Sequence, residues 1–119
     1  KRCTTFILSD FMNSPRDAAA LEDSLKIAGS KHDLVGIRVW DQREAELPDV
    51  GIVELEDAET GRKVWVDTSS RRVREHYADS WAQRNAAITE LLRRNRIDTA
   101  MIPTDGDYVV ELIKLFKKR

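Results

Sequence analysis

With 119 residues, 41% of them hydrophobic and 34% charged, the chain is sized and composed for one ordinary globular domain, and a second domain does not fit. Lys+Arg 20 against Asp+Glu 21 leaves a net charge of −1, so no global field draws the molecule to nucleic acid or to an anionic membrane. The single cysteine, Cys3, allows neither an internal disulfide nor a cysteine cage for zinc; beside a strand it reads as a core thiol in a reducing, cytoplasmic setting.

The chain opens with Lys1-Arg2 in place of an initiator Met, which reads as a piece cut from something longer. The run Thr4-Thr5-Phe6-Ile7-Leu8-Ser9-Asp10-Phe11 is apolar without alternation and ends in a carboxylate, the pattern of a parallel strand covered on both faces. Ser14, Pro15 and Asp17 compose a capping box with a proline at the first helical position. The helix they start carries Ala18, Leu21, Leu25 and Ala28 on one stripe, with Gly29 as its stop. His32-Asp33 leads into a second strand, Leu34 to Trp40, with Val35, Ile37 and Val39 on one face and Asp41 at its end.

The polar stretch Asp41 to Gly51 is a structured loop. Val53 and Leu55, then Val64 and Val66, alternate with polar residues about a turn at Ala58-Glu59-Thr60-Gly61, which predicts a hairpin with one wet face inserted before the return helix. Ser69 or Ser70 caps that helix, which runs to about Arg96 with the stripe Val73, Tyr77, Trp81, Ile88, Leu91 and Leu92. A third core strand spans Ile97 to Ile102. Thr104 and Asp107 form a second capping box for a last helix bearing Val109, Leu112, Ile113 and Phe116, which ends in Lys117, Lys118 and Arg119. Right-handed crossovers then lay three parallel strands side by side, with two helices on one face and the last helix alone on the other.

Ligands of such sheets bind beyond the carboxyl ends of the strands, where Asp10, Asp41 and Asp105 fall. Three converging carboxylates would hold Mg²⁺ for phosphoryl transfer. Acids at strand ends also serve as turn formers and helix caps, and no Asp-x-Asp nucleophile or strand-end lysine accompanies these. His32 and His76 stand apart from any Ser or Cys motif and read as surface or boundary residues. Arg93-Arg94-Asn95-Arg96 could meet phosphate as a weak nucleic-acid module, but a basic last helical turn explains it more cheaply. Trp40, Trp65 and Trp81 are expected in the core. No stretch reaches the roughly 18 apolar residues of a bilayer span, so no membrane contact by this segment is expected.

Ser9-Asp10-Phe11, the string Asp41-Gln42-Arg43-Glu44-Ala45-Glu46-Leu47-Pro48-Asp49-Val50-Gly51, Asp57 with Thr60-Gly61, Val66-Asp67-Thr68 and Thr104 to Val109 together resemble the C-terminal half of the bacterial domain-of-unknown-function family 58. Gln42 stands where that family usually has proline. Its members are similar to von Willebrand factor type A domains. The resemblance implies a partial Rossmann-like α/β fold and work beside MoxR-type AAA+ ATPases as a binding or chaperone-like adaptor.

Domains similar to von Willebrand factor type A hold Mg²⁺ through an Asp-x-Ser-x-Ser loop, a Thr and a further Asp. Asp10 matches that further Asp, while the nearest string to the loop, Asp67-Thr68-Ser69-Ser70-Arg71, fails at its last position. The resulting expectation is a non-enzymatic protein-binding domain. Asp10 would be a metal ligand completed only in the full-length protein, so no cofactor is expected on this segment itself. Asp41, Arg43, Glu44 and Glu46 form the partner-binding loop, and the free edge of the first strand makes the segment self-associate.

Overall fold

A computed structural model describes residues 3–11, 15–56 and 60–119. Its elements are β1 (Thr4–Ser9), α1 (Pro15–Lys31), β2 (Asp33–Trp40), α2 (Gln42–Ala45), β3 (Ile52–Glu56), β4 (Lys63–Asp67), α3 (Arg71–Arg94), β5 (Asp98–Pro103) and α4 (Tyr108–Lys118). The fold is mixed α/β. Three parallel strands run in the order β1-β2-β5, and β3 and β4 form a separate antiparallel pair.

The middle strand explains the arrangement. Leu34 to Arg38 are all buried, as a strand between two neighbours and two helical layers must be. Leu34 joins Leu25 of α1, Ile88, Leu91 and Leu92 of α3, Ile97 and Phe11 in one core cluster. Val35 and Ile37 point the other way and meet Ala100 and Leu115 in a second cluster, with Leu112 and Ile102 against it. α1 and α3 therefore share one face and α4 holds the other, as the connectivity predicts. Arg119, at the end of α4, ion-pairs with Asp98 at 2.7 Å and also with Asp33, tying that helix to the amino ends of β5 and β2.

Several expectations are corrected. β1 is fully covered on one face only: its burial alternates, and Leu8 is 69% exposed because α4 packs over β2 and β5 and meets the edge strand only at Phe6, through Phe116. Gly29 does not stop α1, whose ladder continues until His32 N–H donates to Ala28 O at 2.9 Å. The Thr104–Asp107 capping box does not form. Asp107 is itself the cap of α4, accepting from Val109 N–H at 3.0 Å, while Thr104 N–H donates to Trp40 O. Cys3 is exposed, not in the core; its thiol lies 3.4 Å from His32 Nδ1. Trp65 is 70% exposed on the outer side of the hairpin. The Ser14 half of the first capping box, and Asp57 to Glu59 of the hairpin turn, lie outside the described residues.

Candidate functional site

The site is assembled at the carboxyl ends of the parallel strands. Asp10 follows β1 at a turn in which Phe11 adopts a φ of 58°, a left-handed backbone that a bulky residue rarely takes. Ser9 Oγ accepts the Phe11 N–H at 3.1 Å, and the Phe11 ring is buried in the core. The buried ring and the short turn together fix where Asp10 emerges, exposed, at the rim.

Asp41, after β2, caps the single turn α2 by accepting from Arg43 N–H at 2.9 Å. This gives Asp41 a local structural use. Arg43, Glu44 and Glu46 are exposed on or beside that turn, and Leu47 drops into the interior. Tyr77 of α3 donates its hydroxyl to Arg43 O at 3.4 Å, bracing α2 against α3.

The hairpin is tied beneath this loop by Thr68, which is fully buried. Its hydroxyl donates to Gly51 O at 2.6 Å and accepts Val50 N–H at 2.8 Å, while its carbonyl accepts from Arg74 at 2.7 Å. Asp67 Oδ1 takes Ser69 N–H and Oγ at 3.0 and 2.6 Å, and these bonds hold its carboxyl below the usual range. Ser70 caps α3, accepting from Val73 N–H. The Asp67 to Ser70 string is thus a turn followed by a helix cap.

Between the inner face of the hairpin and the first half of α3 lies a groove of about 660 Å³. Leu55, Val64 and Val66 form one wall, and Val73, Tyr77 and Trp81 form the other. Asp10, Glu44 and Glu56 bring negative charge, with Arg84 as the facing cation. Partial burial pushes the Glu44 carboxyl up, and the Asp10 and Asp41 carboxylates add to this while Arg84 opposes it. Burial likewise raises the Tyr77 phenol. Trp81 stacks at a tilt on Trp40, ring centroids 5.6 Å apart, yet its indole N–H and the Arg84 Nε–H are buried without an acceptor among the described residues.

Asp10 and Asp41 thus both act on Glu44, but among the described residues no three His, Cys, Asp or Glu side chains are grouped so that they could hold a metal ion. Asp10, Asp41 and Asp105 do not converge as a shared Mg²⁺ site requires. At the basic end of α3 two of the three arginines are held in ion pairs, while Arg96 is exposed. Arg93 is paired with Glu90 at 2.7 Å and Arg94 with Glu22 at 2.6 Å. No helix among the described residues is long and apolar enough to cross a membrane.

Sequence reasoning missed the upper wall of the groove. Val73, Tyr77 and Trp81 lie on the same stripe as Ile88, Leu91 and Leu92, so periodicity assigns all six to one core. In the structure the lower three join the core cluster on the sheet, and of the upper three Trp81 meets the sheet at its rim, against Trp40. Arg38 was missed as well: it sits 2% exposed on the central strand, donating to Asn85 Oδ1 at 2.6 Å and to Thr89 Oγ1 at 3.0 Å. Its neighbours Ile37 and Val39 are apolar, and no spacing in the sequence marks it.

Comparison with known proteins adds the following. An uncharacterized protein of Mycobacterium avium is 30% identical over 124 residues, covering 100% of this chain and 68% of that protein. Uncharacterized proteins of Mycobacterium tuberculosis and Mycobacterium bovis are each 28% identical over 121 residues, again 100% of this chain but 36% of their own length. No solved structure matches at a significant level. The family model described as protein of unknown function DUF58 matches residues 1–87, and the chain belongs to that family.

Proposed function

We propose that this chain is a non-enzymatic protein-binding domain that presents the Asp41–Gly51 loop, with Asp41, Arg43, Glu44 and Glu46, to a partner protein. The observation that carries this reading is the position of the loop. It stands over the carboxyl end of a three-stranded parallel sheet, braced by the Tyr77 bond to Arg43 O and by the Thr68 knot, with Arg43, Glu44 and Glu46 exposed. Loops held on a rigid scaffold are where binding residues concentrate.

The parallel order β1-β2-β5, with helices on both faces, supports the finer reading of a partial Rossmann-like, von Willebrand factor type A-like sheet. On that reading the partner is a MoxR-type AAA+ ATPase. Asp10 contributes to a Mg²⁺ site that further protein ligands would complete, since one or two carboxylates seldom hold the ion alone.

The test is calorimetric binding of the full-length protein to its MoxR-type ATPase, with Arg43→Ala and Glu44→Ala. Both variants are expected to weaken binding while leaving the melting temperature unchanged. Unchanged binding with lowered stability would mean that these residues only brace the loop. Mg²⁺-dependent phosphoryl transfer abolished by Asp10→Ala would overturn the non-enzymatic reading.

A further inference from the structure

We propose that the cavity at the amino ends of β2 and β5, between the last turns of α1 and α3, binds a small molecule through a single anionic group, a phosphate or a carboxylate. The site lies at the opposite end of the sheet from the Asp41–Gly51 loop and is independent of the protein-binding reading. Three observations carry it.

The first is the cavity itself. It encloses about 450 Å³, within the usual range of roughly 300–1,000 Å³ for ligand pockets. Leu25, Leu34 and Ile97, all members of one core cluster, line it, and space is open beside Gly29, where an added Cβ would meet only Leu34 Cδ1 at 3.8 Å. Its shape is fixed by Glu22, which accepts Arg94 Nε and Nη2 at 2.6 and 2.9 Å and Asn95 Nδ2 at 2.8 Å, and so ties α1 to the end of α3.

The second is charge that the chain leaves unanswered. Of the charged residues lining the cavity, Asp33 is held by Arg119 and Arg94 by Glu22. Lys26 and Arg96 are exposed and form no side-chain hydrogen bond or ion pair among the described residues. Glu22 attracts Lys26 from a distance, but both of its oxygens are already taken by Arg94 and Asn95. Two cations from different elements on one cavity, with no free acid lining it, suit one anion. His32 adds a donor to the lining: its Nδ1 accepts the Cys3 N–H at 3.2 Å, so the neutral ring carries its proton on Nε2.

The third is where the sequence puts Arg96. The end of α3 is a Schellman turn: Arg96 N–H donates to Arg93 O and Ile97 N–H to Leu92 O, both at 3.0 Å. Arg96 takes a φ of 59° there, a left-handed backbone that glycine adopts freely and arginine does not. A cation for the helix dipole needs no such backbone, since Arg93 and Arg94 already stand in the last turn. Strained backbone gathers at functional sites, and the strain here sets the unpaired guanidinium of this helix end on the cavity wall. Arg93 and Arg94 are both paired with acids, so the end offers one bare guanidinium and not the row of cations that a nucleic-acid backbone requires.

The experiment is a titration of the isotope-labelled full-length protein with inorganic phosphate, and separately with acetate, at an ionic strength held constant with chloride, reading the Arg96 Nε–H and the Ile97 amide by NMR. At least one of the two anions is expected to move both resonances saturably, binding at least about tenfold more tightly than chloride, and the comparison tells which anionic group the site prefers. Arg96→Gly is expected to weaken that binding at least about tenfold and at the same time to raise the melting temperature, because glycine relieves the left-handed backbone. Lys26→Gln is expected to weaken binding by a similar factor with the melting temperature unchanged. Arg93→Gln, outside the cavity, is expected to leave binding as it is.

Shifts that never saturate, or that chloride reproduces, would overturn the proposal. So would an Arg96→Gly variant that melts higher with binding intact, or an Arg93→Gln variant that loses as much binding as Lys26→Gln, since either reduces the site to a diffuse basic field. A short single-stranded DNA that binds where phosphate and acetate both fail would replace the single-group site with a nucleic-acid surface. None of these outcomes bears on the loop, whose role the Arg43→Ala and Glu44→Ala comparison decides.

Discussion

The Phe11 ring packs directly over Gly36: a Cβ on that glycine would stand 3.6 Å from Phe11 Cζ and 3.3 Å from Thr99 Cγ2. The missing side chain in the central strand makes the room that lets Phe11 anchor the turn bearing Asp10, despite the left-handed backbone of Phe11. Sequence, packing and site geometry meet in this pair.

Phe11→Ala is therefore expected to cost about 3–5 kcal/mol, the range for a large buried aromatic. Gly36→Val should cost about 1–3 kcal/mol by overpacking the same space. Urea unfolding gives both values. A variant at Phe11 with an unchanged midpoint would mean that the ring does not anchor the turn.

Arg38 yields a prediction of opposite sign. Its guanidinium is buried, its partners Asn85, Thr89 and Met101 are uncharged, and its Nε has no acceptor among the described residues. Burying a charge costs several kcal/mol unless partners repay it. Arg38→Met, close in volume, should be neutral or stabilising by about 1–2 kcal/mol, whereas Asn85→Ala, which strips an acceptor, should destabilise by about 1–3 kcal/mol. A strong loss of stability in Arg38→Met would show that the neutral partners repay the burial after all.

The pH dependence follows from Glu22. Bonds from Arg94 at 2.6 and 2.9 Å, and from Asn95 at 2.8 Å, hold its carboxyl down to about 2 from the ordinary 4.5. A depressed carboxyl stabilises the fold above the unfolded value and loses that contribution as pH falls. Wild type should thus exceed Glu22→Gln in stability at neutral pH, and the gap should close between about pH 4.5 and 2. A gap independent of pH across that window would show that the ionisation of Glu22 is not linked to folding.

Much of this fold is legible from periodicity and capping residues. The three parallel strands, the inserted hairpin and the Ser70 cap of α3 each follow from a local pattern that tertiary packing then respects. What is not legible depends on where an element ends in space. The stripe on α3 gives no sign that its first half, before Ile88, overruns the sheet core, so the groove wall reads as core. Trp65 is assigned to the interior by its type although it alternates with Val64 and Val66, and in the structure the alternation prevails: it stands opposite Glu54 on the outer face. Asp41 is recognisable as a strand-end acid, but its use as a cap depends on the single turn Gln42–Ala45, too short to leave a periodic signal.

Thr68 tests the anchoring of the hairpin. Thr68→Val keeps the shape but removes the acceptor of Val50 N–H and one donor to Gly51 O. Each buried group left unmet costs about 1–3 kcal/mol. The loss should be accompanied by faster amide exchange at Val50, because the hairpin base opens locally before the sheet does. Exchange unchanged at Val50 would mean that the Thr68 backbone bond to Gly51 suffices.

The edge of β1 yields the last prediction. Among the described residues β1 is hydrogen-bonded only to β2, so one row of its backbone donors and acceptors has no strand partner. On the face under α4, Phe6 is 47% exposed with its ring edge-on to Phe116 at 6.2 Å, and Leu8 and Ile113 are exposed beside it. An open edge bordered by apolar side chains invites pairing with another copy. A two-fold axis normal to the sheet would join two β1 strands antiparallel and keep both Phe6-Leu8 rows on one shared face, giving a closed dimer and not a fibre. This chain is therefore expected to be a dimer by light scattering at micromolar concentration. Leu8→Lys, which puts a charge on the edge strand without touching either core cluster, should return it to a monomer with unchanged circular dichroism. A wild-type chain that stays monomeric and folded would show that the β1 edge does not drive association.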